Sequence, residues 1–202
     1  MEQRSDEWFD ARGGRVTASR IADVAARTKS GWGASRANYM AELIVYQLTG
    51  ERPGFGTPAM RWGTETEPQA RLAYEFLTGR DVEECGFYLH PEIERSGASP
   101  DGLVGDDGLL EIKCPNTSTH IDTLLSRKVP HKYLLQMQWQ MACTGRQWCD
   151  FMSFDPRMPA DLQSWITRVE RDDDLITSLA ADVVEFIAEM DQRLEELRRI
   201  AA

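Results

Sequence analysis

The sequence predicts an α/β (α+β) fold in which a small mixed central sheet is flanked by helices. Three observations predict it. In the first part of the chain, apolar side chains recur at helical spacing. From residue 82 the period changes to short apolar runs broken by turn residues. Beyond residue 120, helical and strand-like segments follow one another, and a long amphipathic stretch closes the sequence. A chain of 202 residues is of a size that buries one core, so residues 1–202 read as a single domain.

Ser35 is the expected N-cap of a helix running towards Gly50, with Tyr39, Met40, Leu43, Ile44 and Gln47 at three-and-four spacing. GERPGFGTP, residues 50–58, is the most loop-like segment, rich in glycine and proline. PQARLAYEFLTG then sets Leu72, Tyr74, Phe76 and Leu77 in a helical frame closed by Gly79, and Pro68 either starts this helix or kinks a longer one. CGFYLHP, GLV and LLEIKC read as strands, with GDDG a hairpin turn between the last two. HIDTLLSRK and HKYLLQMQWQMACTG are helical, and WCDFMSF and QSWITRVER are strand-like. DDDLITSLAADVVEFIAEMDQRLEELRRI is a long amphipathic helix capped by aspartates.

Composition excludes several classes. No apolar run approaches the ~20 residues of a membrane-spanning helix, and MEQRSDEWFD is polar and acidic, unlike a signal peptide. A cytoplasmic protein with no membrane partner is expected. Cys85, Cys114, Cys143 and Cys149 form no CxxC pair, and with His90, His120 and His131 they give no zinc-like or iron–sulfur spacing, so reduced cysteines in or near the core are expected. A net charge of −10 argues against a protein that coats nucleic acid, though not against an enzyme with one basic groove.

The chemistry concentrates in SPDGLVGDDGLLEIKCP, residues 99–115. Strand alternation across LLEIKC puts Leu110, Ile112 and Cys114 on one face and Leu109, Glu111 and Lys113 on the other. The GDDG turn folds Asp101 back beside them, while Asp106 and Asp107 stay in the turn. Two carboxylates and the Ile112 carbonyl are hard oxygen ligands suited to Mg²⁺ or Mn²⁺, and Lys113 is placed to hold or deprotonate a bound water or to neutralise a phosphate. The same residues also read as a solvent-facing Glu111–Lys113 ion pair worth at most about 1 kcal/mol, with Asp101 a turn residue before Gly102. A calcium loop is excluded, because Leu103 and Gly105 stand where ligands would be needed.

SPDG ahead of a strand–turn–strand ending in EIKCP resembles the PD-(D/E)XK nuclease superfamily, and more closely the phage lambda exonuclease family of viral-type recombination nucleases. WFDARGGRVTAS, WGTETEPQAR, YLLQMQWQM and FDPRM resemble further motifs of that family, in its order. The resemblance implies a restriction-endonuclease-like core in which Asp101, Glu111 and the Ile112 carbonyl hold catalytic Mg²⁺, with a second ion held mainly through Asp101. Lys113 would orient the attacking water, Glu67 would finish the acidic cluster, and Gln136 would support the site near the scissile phosphate. Helical spacing puts Gln140 on the face of Gln136 and Gln138 roughly opposite; Tyr133, one turn before Gln136, borders the same site.

Arg12 and Ser19 match the pair that binds the 5′-terminal phosphate, and Thr17 is an alternative donor or a helix N-cap. Lys29 falls where the family carries an arginine that tracks the minor groove; lysine keeps the charge and loses the planar fork. Met60 falls where the family places an apolar side chain at the split duplex end, and core packing accounts for it equally well. Trp8, Trp32, Trp62, Trp139, Trp148 and Trp165 read mostly as core or subunit-interface residues.

The implied function is Mg²⁺-dependent degradation of one strand of linear double-stranded DNA from its 5′ end to mononucleotides. That would leave a 3′ overhang for a single-strand annealing recombination protein. The family's ring-shaped homotrimer would let basic residues line an inner channel despite the −10 charge. The alternatives are another PD-(D/E)XK endonuclease, restriction or structure-specific, and a non-catalytic DNA-end-binding protein.

Overall fold

The computed structural model describes residues 2–51 and 56–201. The N-terminal third holds α1 (Asp6–Arg12), β1 (Val16–Thr17), a 3-10 turn (Ala18–Arg20), α2 (Ile21–Val24), the strand pair β2 (Arg27–Thr28) and β3 (Gly31–Trp32), and α3 (Ala34–Thr49). Next come α4 (Pro58–Thr78), β4 (Val82–Glu83), β5 (Tyr88–Leu89), β6 (Ser96–Ala98), β7 (Gly102–Val104) and β8 (Gly108–Lys113). α5 (Thr117–Ser126), α6 (His131–Thr144), β9 (Trp148–Phe154), β10 (Ser164–Glu170) and α7 (Asp173–Ala201) complete the chain.

The central sheet has the order β10-β9-β8-β7-β4, with β8 and β9 parallel and every other pair antiparallel. It is therefore the small mixed sheet the sequence predicts. A second sheet of order β1-β6-β5 joins the N-terminal segment to the residues leading into Asp101.

Alternation along β8 divides the apolar residues. Leu110 and Ile112 pack with Met152 and Phe154 against Ala70 and Tyr74 of α4. Leu109 faces the other way, with Cys149 and Phe151, against Met137 and Met141 of α6. A third cluster gathers Ile21, Val24, Tyr39, Met40 and Leu43 around Trp139 of α6 and Leu179, Val183 and Phe186 of α7. α6 is thus buried between the sheet and a helical layer, and residues 135–143 are all buried. Gly108 admits the sheet's tightest crossing: a Cβ there would lie 2.1 Å from the Trp148 ring.

Several expectations shift. Gly33, not Ser35, is the N-cap of α3. Pro68 lies inside α4, which Pro58 begins under a Thr57 cap whose side chain accepts the Met60 N–H; both Pro68 and Thr64 four residues earlier are exposed, so the lost helical hydrogen bond falls on the solvent side. The loop expected over residues 50–58 lies in part, at residues 52–55, outside the described residues. CGFYLHP contributes only β5, and the short strands β1, β4 and β6 carry too few residues to show a period. α5 starts earlier than expected, at Thr117, because Asn116 caps it.

Of the tryptophans, Trp8 and Trp139 are buried. Trp148 and Trp165 pack against the core; guanidinium groups of Arg27 and Arg36 sandwich Trp32, Arg168 covers Trp148, and Arg157 covers Trp62. All four cysteines are free, with Cys143 and Cys149 buried. No helix among the described residues is long and apolar enough to cross a membrane.

Candidate active site

β7 begins one residue after Asp101, so the carboxylate sits where the hairpin ladder opens. The Asp101 N–H donates to the Leu110 carbonyl at 3.1 Å, and Asp101 Oδ2 accepts the Ile112 N–H at 2.7 Å. This places Asp101 beside the end of β8. Glu111 and Lys113 share the β8 face opposite Leu110 and Ile112, and they form an ion pair through Lys113 Nζ and Glu111 Oε1. The surface-pair reading fails, because Glu111 is 0% exposed.

α6 covers Glu111. Gln136 Nε2 donates to Glu111 Oε1 at 2.6 Å, and Gln140 Nε2 donates to Oε2 at 2.6 Å. Gln138 faces away, donating to the Glu170 carbonyl and accepting the Asp172 N–H. Tyr133, one turn before Gln136, sets its ring 4.9 Å from Lys113 Nζ and stacks on Phe151.

Burial and the neighbouring Glu111 charge push the Asp101 carboxyl well above the usual carboxylate range. Burial disfavours the Lys113 ammonium, yet Glu111 and Asp101 outweigh it and hold its pKa above the usual lysine range. Two carboxylates pressed together with one ammonium fit a divalent cation: the donors are hard oxygens, and the charge repulsion is the kind a cation relieves. Asp101 Oδ2 is tied to the Ile112 N–H, so the Asp101 carboxylate and the Ile112 carbonyl belong to the same strand end.

Glu67 lines the same cleft as Asp101 and Glu111, and its charge adds to the push on the Asp101 carboxyl. Glu67 Oε2 accepts from Arg4 Nη2 at 2.6 Å and its Oε1 from Arg71 Nη2 at 3.1 Å. Among the described residues, no three His, Cys, Asp or Glu side chains gather as a metal cluster.

One cleft of about 730 Å³ connects these groups. Asp101, Glu111, Ile112, Lys113, Tyr133, Gln136 and Glu67 line it, and so do Arg12, Ser19 and Met60. Arg12 lies over the Trp8 ring, centroid distance 4.2 Å, and its Nη1 donates to Ser99 Oγ at 3.4 Å, two residues before Asp101. Burial lowers its pKa to about 10. Thr17 is buried; it stands at the N-cap position of the 3-10 turn, but its hydroxyl contacts Ser19 Oγ at 3.3 Å rather than capping. Met60 is half exposed on α4 and lines the cleft, which removes the core-packing reading. Lys29 is exposed at the β2–β3 turn and does not line the cleft.

Three contributors were not legible as such in the sequence. Gln140 was placed on the correct helix face but had no assigned target. Ser99 accepts from both Trp8 Nε1 and Arg12. Arg4, with a left-handed φ of 69°, holds Glu67. Ser99 opens the SPDG motif, but neither its role nor that of Arg4 can be read locally, because their partners lie far along the chain.

A family model for the YqaJ-like viral recombinase domain matches residues 7–147. The alkaline exonuclease LHK-Exo from Laribacter hongkongensis is 55% identical, with 98% of each chain covered and a TM-score of 0.91. The structure of LHK-Exo in complex with dAMP matches with a TM-score of 0.92. A phage-related exonuclease from Haemophilus somnus shares the fold at 18% identity and a TM-score of 0.76, over 91% of this chain and 96% of that one. An uncharacterized protein of Acanthamoeba polyphaga mimivirus is 27% identical over 75% of this chain, which spans only 29% of that protein's length.

Proposed function

Because the chain belongs to the YqaJ-like viral recombinase domain family, with the fold of PD-(D/E)XK-type exonucleases, we propose that it is a DNA exonuclease acting at the ends of linear duplexes. The observation that carries this reading is the single cleft lined by Asp101, Glu111, Lys113 and Gln136 together with Arg12 and Ser19. Such a cleft suits a phosphodiester held at one end by its terminal phosphate. The 55% identity to an enzyme named an alkaline exonuclease, described in complex with a deoxynucleoside monophosphate, supports the same class of reaction.

In this reading Arg12 and Ser19 grip the 5′-terminal phosphate, the guanidinium through charge-assisted hydrogen bonds. Asp101, Glu111 and the Ile112 carbonyl would hold Mg²⁺ (two ions, with Mn²⁺ as substitute), which when bound would supply Lewis acidity towards the phosphate and a more acidic water. Lys113, its charge retained between two carboxylates, orients the attacking water and offsets the charge developing on phosphorus oxygens. Gln136 keeps the Glu111 carboxylate in place, Glu67 finishes the acidic cluster, and Thr17 and Tyr133 border the substrate. Met60 is offered to the splitting duplex end, and Lys29 reaches the DNA outside the cleft. Hydrolysis runs 5′ to 3′ and releases mononucleotides. The remaining 3′ overhang passes to an annealing protein. A homotrimeric ring in the cytoplasm of a bacterial host of phage or prophage completes the proposal.

A linear duplex labelled at either end, incubated with Mg²⁺ or EDTA, tests it. The expected result is Mg²⁺-dependent release of labelled mononucleotide from the 5′ end first. Cutting of covalently closed circular DNA would point to an endonuclease of the same fold, and end binding with no digestion to a non-catalytic end-binding protein.

A further inference from the structure

α6 aims two amides at one carboxylate. Gln136 donates to Glu111 Oε1 and lines the cleft. Gln140 donates to Oε2, is 0% exposed and does not line the cleft. Oε1, shared with Lys113, is thus the oxygen on the cleft side, and Oε2 is gripped from the interior.

The other end of Gln140 is unmet: its Oε1 is buried and has no hydrogen-bond partner among the described residues. A buried acceptor without a partner costs stability. Leucine or methionine would fill the same volume beside Met137 and Met141 without that cost. What the amide supplies is therefore its N–H towards Glu111.

We propose that Gln140 is a positioning residue for cation binding: it fixes the plane of the Glu111 carboxylate from behind while leaving its negative charge unspent. A lysine or arginine at this position would orient the oxygen too, but would neutralise it and compete with a divalent cation. A neutral donor on a helix buried on every side orients without competing. The second contact also frees Lys113, because the carboxylate keeps its plane when the ammonium moves towards substrate. The inference rests on the metal-dependent reading above.

The test measures Mg²⁺ binding to the DNA-free protein by calorimetry, and Mn²⁺ binding by electron paramagnetic resonance. It compares wild type with Gln140→Leu, Gln140→Asn and Gln138→Leu. Loss of a residue that orients a metal ligand typically weakens affinity about 10- to 100-fold. That loss is expected in both Gln140 variants, with kcat reduced and KM for duplex ends unchanged. Gln138→Leu, which cuts the tie to Glu170 and Asp172, should lower Tm without changing metal affinity. Should Gln140→Leu fail to fold, Gln140→Asn, which keeps an amide one methylene short of Glu111, decides the matter. Wild-type affinity in a folded Gln140 variant overturns the inference alone; absence of Mg²⁺ binding in wild type overturns the functional reading beneath it.

Discussion

The Asp101 carboxylate reaches across the mouth of the β7–β8 hairpin to accept the backbone N–H of Ile112 at 2.7 Å. One short contact thus closes the ladder where β7 has not yet begun and brings the carboxylate against Glu111. Asn at this position keeps an oxygen for the Ile112 N–H and removes one of two crowded charges. Asp101→Asn should therefore fold with a metal-free Tm at or above wild type. Mg²⁺, expected to raise the wild-type Tm, should leave the variant unchanged, as thermal unfolding with and without the ion will reveal.

Lys113 balances two carboxylates, so its removal should separate chemistry from binding. Lys113→Ala should lower single-turnover hydrolysis by about 10²-fold or more while end binding, read by fluorescence anisotropy in Ca²⁺, changes little. Digestion at the wild-type rate would refute its place in the reaction.

Arg12 is held by the Trp8 face and Ser99, already desolvated before any phosphate arrives. Arg12→Ala should erase discrimination between 5′-phosphate and 5′-hydroxyl ends. A hydrogen bond to a charged group is worth about 1.5–3 kcal/mol, so roughly a 10- to 100-fold loss is expected on phosphorylated ends only. Ser19→Ala should act in the same direction and more weakly. Equal losses on both kinds of end would place the pair elsewhere in binding.

His90 predicts an acid limit to stability. Its Nδ1 accepts the N–H groups of Glu92 and Ile93 at 3.2 and 3.1 Å, and its ring stacks on Trp139 at 4.8 Å. Burial pushes its pKa below the ordinary histidine value. The folded state therefore binds its proton later than the unfolded state does. The contribution is fully present above the unfolded value of about 6.5 and is lost as pH falls from there towards the folded pKa. Tm should fall between pH 8 and pH 5.5, and His90→Gln should flatten that slope.

Much of the site's local geometry was legible. Alternation in LLEIKC put Glu111 and Lys113 on one face, and the spacing of Gln136 and Gln140 put both on one side of α6, because strand and helix periods are properties of a few adjacent residues. The arginine contacts of Glu67 were not legible. Its neighbourhood reads as acidic, and Arg4 meets it from the N-terminal segment and Arg71 from one turn further along α4. Most tryptophans do lie in or against the core, but an apolar pattern says only that a ring is shielded, not that a guanidinium shares in the shielding, as it does at Trp32, Trp62 and Trp148.

By itself, the sequence determined the helix and strand segments that carry the chemistry, their order, the faces of β8 and α6, and the motifs that resemble the lambda exonuclease family. Only the tertiary structure decided that Arg12 shares a cleft with Asp101, through Ser99 and the parallel pairing of β1 with β6. It also decided that Gln140, not Gln138, holds Glu111, and that Met60 faces the cleft. Periodicity is written by near neighbours, whereas these contacts join residues tens of positions apart. Their partners are chosen by how the sheet and the helical layer close on α6.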